Sequence, residues 1–326
     1  MIPPNLARRP QGATLIEVLV TIGIVSILAS LLLPSVQSAR EAARRMGCGN
    51  NAKQVALAVL SYESTYRFLP PGGVMRGPWQ SGLSGITWTI CILPYLEEEN
   101  LYNRYSPGLY NTHESNAFVR TSFVKSLSCP SDVNRWQTGQ PESGPGAALN
   151  WATGSYRACS GYSDGKPRPG GGSWFDANNL LPLHWRGAMH HVGTGVLRQE
   201  RVADILDGSS NTMLFGEYAT PPCGPEQVCP RTTFWAYTYT SYNQSSVCSP
   251  CGSRTLLGSY GACNGRAGVG GVNACKRGWG GFHSTAFFTG RCDGSVHPVS
   301  KDVDMLALSA AATIAGHEIA LPTHLE

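Results

Sequence analysis

The residues of this chain best suited to chemistry fall into four groups. Eleven cysteines come first, ten of them beyond residue 50. Cys248-Ser-Pro-Cys251, followed by Cys263 and Cys275, has the short first spacing of a zinc ribbon. A ribbon repeats that short pair some 15–20 residues on, and here the second pair is drawn apart, so disulfides fit better. Cys223 and Cys229, set among Pro and Gly, read the same way, as a stapled loop. A redox Cys-x-x-Cys wants a strand-to-helix setting, which Ser and Pro do not supply. Pairing on this scale calls for an oxidising compartment. The odd count leaves at least one thiol unpaired, or one bridging to another chain, and Cys48, alone near the start, is the natural outlier.

The second group is Asp207, Asn211 and Glu217 in "DILDGSSNTMLFGE". Three oxygen donors of this kind suit a hard cation such as calcium. The same residues also read as turn formers bonded to local backbone, ahead of a strand that Glu217 ends. The third is His283-x9-Asp293-Gly294. The Asp-Gly pair lies between the strand-like runs "STAFFTGR" and "SVHPVS", where glycine accepts a positive φ in a hairpin turn. A metal or catalytic role for His283 with Asp293 is the competing reading. The fourth is His184 with His190-His191, beside Trp185 and Met189. No carboxylate at a fixed spacing orients these histidines, and there is no His-x3-His. A P-loop pattern is absent, and no triad or paired-carboxylate arrangement stands out. The expectation is a protein that is not an enzyme. The net charge of +4 is spread along the chain, without the clustered basic face of a nucleic-acid binder.

The elements that must carry these residues begin with "GATLIEVLVTIGIVSILASLLLPSV" at 12–36. Ala13 to Leu33 would cross a hydrocarbon core of about 30 Å as a helix. The run is too long for a cleaved secretory signal. Its one charge is Glu17, and a carboxylate costs a few kcal/mol at the bilayer centre, less near the edge, so a partner is expected. Beyond Pro34, Cys48, Ala52, Val55, Val59, Tyr62 and Tyr66 recur at 4, 3, 4, 3, 4, the stripe of an amphipathic helix. A helix from about Thr14 to Arg67 follows, kinked at Pro34, with Gly47 and Gly49 a second weak point. Pro70-Pro71-Gly72-Gly73 ends it.

With 326 residues, 42% apolar and 14% charged, the chain can bury one large core or two modest ones. Stretches 139–147 and 165–173 read as loops, and "TFWAYTYTSY" at 233–242 as a β-type run. "DVDMLALSAAATIAGHE" reads as a short helix capped by Asp302 or Asp304 and stopped near Gly316.

Gly12, the apolar start, Glu17 and Pro34 together resemble the head of type IV pilins and type II secretion pseudopilins. The resemblance implies that a prepilin peptidase cuts after Gly12, making Ala13 the first mature residue. Glu17 is then the fifth and Pro34 the twenty-second, as in that family. It also implies that Glu17 pairs with the amine of a neighbouring subunit and sets assembly. The family usually starts with Phe or Met, where this chain has Ala13. "REAARRMGCGNNAKQVALAVLSYES" (40–64), "CPSD" (129–132), "DILDGSSNTMLFGE" (204–217) and "FHSTAFFTGRCDGSV" (282–296) resemble a large bacterial family of prepilin-headed proteins of unknown function.

The expectation is an α+β protein. Residues 1–12 are a leader and 13–67 a long helix, membrane-spanning over 13–33. Residues 68–326 form an extracytoplasmic globular α+β domain with long loops and a mainly antiparallel sheet, on which the helix packs as a pilin-like roll. The partners implied are the inner membrane, prepilin peptidase, and copies of itself or other pilin-like subunits, with the C-terminal part in the periplasm or at the cell surface. The alternative is a surface binding module for glycan or protein that borrows the head for export. No cofactor is expected beyond the calcium considered above.

Overall fold

Thr14 and Glu17 start the first helix. The Thr14 N–H and hydroxyl donate to Glu17 Oε2 at 2.8 and 3.0 Å, and the Glu17 N–H donates back to Thr14 Oγ1 at 3.4 Å. This Thr-x-x-Glu capping box satisfies amide groups that an open helix end leaves unpaired. Helix α1 then runs Leu15–Tyr66 without interruption, Pro34 included. The computed structural model describes residues 14–75, 84–166, 181–193, 197–256 and 260–316, and the chain divides into two compact units, 1–44 and 45–326.

In the first unit the apolar side chains from Leu15 to Leu33 are exposed. Thr21, Ser26, Ser30 and Ser35 turn their hydroxyls back onto carbonyls three or four residues earlier, which hides the polar groups of an apolar rod. This is the one helix among the described residues long and apolar enough to cross a membrane.

The second unit begins with the rest of α1, which buries Cys48, Ala52, Val55, Ala56, Ala58 and Val59. The stripe read from the sequence is therefore the core face as far as Val59, while Tyr66 is exposed. Next come β1 (Gly73–Met75), β2 (Ser84–Thr87), α2 (Trp88–Ile92), α3 (Glu99–Tyr102), α4 (Ala117–Thr121), β3 (Thr138–Pro141), β4 (Trp151–Ala152) and β5 (Tyr156–Tyr162). They are followed by β6 (His191–Val192), β7 (Met213–Glu217), β8 (Val228–Cys229), β9 (Gln244–Val247), α5 (Tyr260–Asn264) and α6 (Gly271–Lys276). The hairpin β10 (Ala286–Arg291) and β11 (Val296–Ser300) and the helix α7 (Met305–Ala312) close the series. The fold is α+β.

The central sheet has the order β11-β10-β7-β5-β9 and is antiparallel except for β5 with β9. The smaller sheets β2-β1-β6 and β4-β3-β8 each contain one parallel pair. The central sheet is covered on both faces. Tyr156, Ala158 and Phe215 belong to the core that holds the α1 stripe with Trp88, Trp151 and Trp235. Cys159, Met213 and Phe287 belong to a second core with Trp279 and Leu308 of α7. Helix α7 is capped by Asp304, whose Oδ1 accepts from the Leu306 and Ala307 amides.

One expectation fails here. "TFWAYTYTSY" is a chain of turns with a single bridge from Phe234 to Thr153. Phe234, Trp235, Tyr237 and Tyr242 are all buried, so they do not alternate as strand residues would. Side chains replace a ladder: Thr89 donates to the Trp235 carbonyl and Asn111 Nδ2 to the Ala236 carbonyl at 2.7 Å. The demand of buried backbone for partners is met that way.

Candidate functional site

The cysteines define the site. Cys48 is not the odd one out: it is paired with Cys129 across 81 residues of sequence. Cys223–Cys229, Cys248–Cys251 and Cys263–Cys275 are also bridged, and Cys91, Cys159 and Cys292 remain as buried thiols. The glycines beside Cys48 allow the pairing rather than weakening the helix. A Cβ at Gly47 would stand 3.1 Å from Pro130 Cγ, and one at Gly49 3.4 Å from Phe288 Cε1. Helix α1 thus lies directly on the 129–132 turn and on β10.

Around the disulfide the other motifs converge. Ser155 Oγ accepts from the Cys129 N–H at 3.0 Å and donates to Asp132 Oδ2 at 2.8 Å. Burial pushes the Asp132 carboxyl up to about 6, against hydrogen bonds from Thr220 and Ser155. His283 Nε2 lies 3.7 Å from Cys129 Sγ, with the ring edge-on to Phe288 at 5.6 Å between centroids. Lys301 Nζ ties down the backbone here, donating to the Gly281 carbonyl at 3.0 Å and to the His283 carbonyl at 2.5 Å.

Glu217, at the end of β7, completes the group. Its Oε2 accepts from the Phe288 N–H at 2.8 Å. Its Oε1 is buried without a hydrogen-bond partner among the described residues. Burial pushes this carboxyl up to about 8, with Asp132 adding to the rise against the Phe288 hydrogen bond. The ligand-type atoms of Cys48, Cys129, Glu217 and His283 all lie within 4.8 Å of one another, and all four residues are buried. Each of the four stretches 40–64, 129–132, 204–217 and 282–296 supplies one of them. A cleft of about 740 Å³, lined in part by Pro221, Pro222, Tyr260, Phe282 and Lys301, has His283 in its wall.

The remaining candidates lie elsewhere. Asp207 is not joined with Glu217: its Oδ2 accepts from the Gly316 N–H at 2.8 Å and its carbonyl from Asn211 Nδ2 at 3.1 Å. These bonds fit the turn-former reading of Asp207 and Asn211. Asp293 sits in the turn after β10. It locks the β10–β11 turn by accepting from the Ser295 N–H and hydroxyl at 2.8 and 2.6 Å. Gly294 takes φ +81°, and its carbonyl accepts from Lys53 Nζ of α1 at 2.7 Å.

His190 does have a carboxylate. Its Nε2 lies 2.8 Å from Glu200 Oε1, which also accepts from Arg186 Nη1 at 3.4 Å. No fixed spacing could have pointed to that pair. Gly161-Tyr-Ser-Asp-Gly165 has the Gly-x-Ser-x-Gly spacing, which the sequence reading missed. Ser163 is buried and its hydroxyl accepts from the Gly165 N–H at 3.2 Å, a local turn rather than the exposed strand-to-helix nucleophile of a hydrolase. Gly12 and Ala13 lie outside the described residues. Glu17 is the capping-box acid, and Pro34 is inside α1.

An apolar head helix and a disulfide-stapled α+β body define a pilin-like, prepilin-headed protein. Residues 7–33 match the prokaryotic N-terminal methylation motif. Residues 37–306 match the family described as "Protein of unknown function (DUF1559)", and the chain belongs to that family. No curated protein and no solved structure matches it. The motif and the exposed apolar helix together indicate a single-pass, membrane-anchored protein.

Proposed function

We propose that this chain is a structural, non-catalytic pilin-like subunit that assembles through α1 into a type IV pilus-like or type II secretion-like structure. Prepilin peptidase removes residues 1–12 after Gly12 at the inner membrane. The span 13–33 holds the subunit there, and the globular part lies in the periplasm or at the cell surface. Glu17 then pairs with the Ala13 amine of a neighbouring copy or of another pilin-like subunit.

The observation that carries this reading is the methylation motif on a helix whose apolar side chains from Leu15 to Leu33 are all exposed. Such a surface needs lipid or other helices to cover it. The test is the N-terminus of the membrane-extracted protein, read by intact mass and N-terminal peptide mass spectrometry. A chain beginning at Ala13, with a methyl group on its amine, supports the reading. A chain beginning at Met1 overturns it and leaves a signal anchor.

The cleft of about 740 Å³ favours a second reading, a surface binding module for glycan or protein. Glycan titration of the detergent-solubilised full chain tests it. A fragment starting near residue 68 is unsuitable, because it loses Cys48, Ala52, Val55 and Val59 from the core.

A further inference from the structure

We propose that Cys48, Cys129, Glu217 and His283 form a redox-gated metal site: a disulfide staple when oxidised, and a buried four-ligand site for a zinc-class divalent ion when reduced. The argument starts from the donor set. Two thiolates, an imidazole and a carboxylate are what zinc takes in tetrahedral sites, with bonds of about 2.0–2.3 Å that set ligand atoms roughly 3.3–3.8 Å apart. The four donors here already lie within 4.8 Å of one another, so small side-chain shifts suffice.

A second, independent observation is the carboxylate itself. Glu217 is buried, and its Oε1 reaches no hydrogen-bond partner among the described residues. An unpaired oxygen in the core is left without the hydration it had in water, and a cation beside it makes good that loss. The third is the scaffold. The ligands come from α1, the 129–132 turn, the end of β7 and the segment before β10. All four are held by partners other than the ligand atoms: Tyr156 Oη to the Cys48 carbonyl at 3.3 Å, Ser155 to the Cys129 N–H, the Phe288 N–H to Glu217 Oε2, and Lys301 to the His283 carbonyl. His283 also lines the cleft, the side from which the proposal brings an ion or a reductant to the group.

The chemistry balances. A dithiol reductant transfers two electrons and two protons to the Cys48–Cys129 bond and becomes a disulfide itself. The ion then displaces the two thiol protons and the Glu217 proton. A disulfide oxidant takes two electrons from the two thiolates and becomes a dithiol; the Cys48–Cys129 bond re-forms, the ion leaves, and Glu217 regains its proton.

Co²⁺ titration of the full chain in detergent is the test, since tetrahedral thiolate-bound cobalt has a characteristic absorption. It is run oxidised, and after anaerobic reduction by excess phosphine. The expected result is one tight equivalent only after reduction, lost in C48A/C129A and retained in C223A/C229A, whose staple is elsewhere. Glu217→Gln and His283→Ala should weaken that equivalent roughly tenfold or more, as losing even an outer contact does. Circular dichroism identifies any variant that fails to fold, and C223A/C229A then carries the comparison with the reduced wild type. A reduced wild-type protein that takes up no cobalt overturns the proposal. So does an equivalent that survives in C48A/C129A, or one indifferent to both Glu217→Gln and His283→Ala.

Discussion

The His283 imidazole lies 3.7 Å from Cys129 Sγ, the sulfur that holds helix α1 to the turn at 129–132. One contact therefore joins the last motif of the chain to its first, 235 positions earlier at Cys48, and the disulfide is the joint between them.

Breaking that joint should be costly. A bridge spanning 81 residues stabilises by roughly 4–5 kcal/mol in the chain-entropy account. Cys48→Ala with Cys129→Ala should lower the unfolding free energy extrapolated from a urea titration by about that much. Cys223→Ala with Cys229→Ala, which opens a loop of only 6 residues, should cost less. Equal losses in the two variants would show that loop length is not what matters here.

Gly294→Ala should destabilise by about 1–3 kcal/mol. The residue takes φ +81°, and a Cβ there would stand 2.7 Å from Leu60 Cδ1 on α1. Gly108→Ala, with nothing within 4 Å, is the control and should melt near wild type. The comparison is read by thermal unfolding followed by circular dichroism.

Acid should weaken the fold through Glu200. Burial alone would raise its pKa, but the His190 hydrogen bond and Arg186 outweigh it and hold the carboxyl below 4.5. A folded pKa below the unfolded one means that the folded state binds fewer protons in between. The contribution is complete above about pH 4.5 and is lost as pH falls through the folded value. Glu200→Gln should reduce stability at pH 7 by about 1–3 kcal/mol and flatten the acid limb of a stability–pH curve. An unchanged acid limb would remove Glu200 as its source.

Glu17 has two uses that can be separated. Gln at this position still accepts from Thr14 in a capping box but carries no charge. Glu17→Gln should leave helix content in detergent unchanged and reduce crosslinking between subunits in membranes. Loss of helix without loss of crosslinking would leave only the cap, and the assembly reading would fall.

Local order was legible in the amino-acid sequence. The period of Cys48, Ala52, Val55 and Val59 marked the buried face of α1, because a helix repeats every 3.6 residues wherever it packs. The Asp-Gly pair marked the β10–β11 turn and Asp304 the start of α7, since both depend on neighbours two or three residues away. The Thr14–Glu17 box was equally local and went unread.

Tertiary structure alone decided the rest. Cys48 looked solitary because its partner is 81 residues distant, and a disulfide depends on Cβ geometry rather than on spacing. Glu200 found His190 through the path of the chain between them, and the aromatics of 233–242 were buried by turns whose carbonyls are paired by Thr89 and Asn111. Four motifs separated by tens of residues meet at one buried point for the same reason. Each motif encodes its own turn or helix face, while the distance between two motifs is set only when the sheet closes and α1 docks on it.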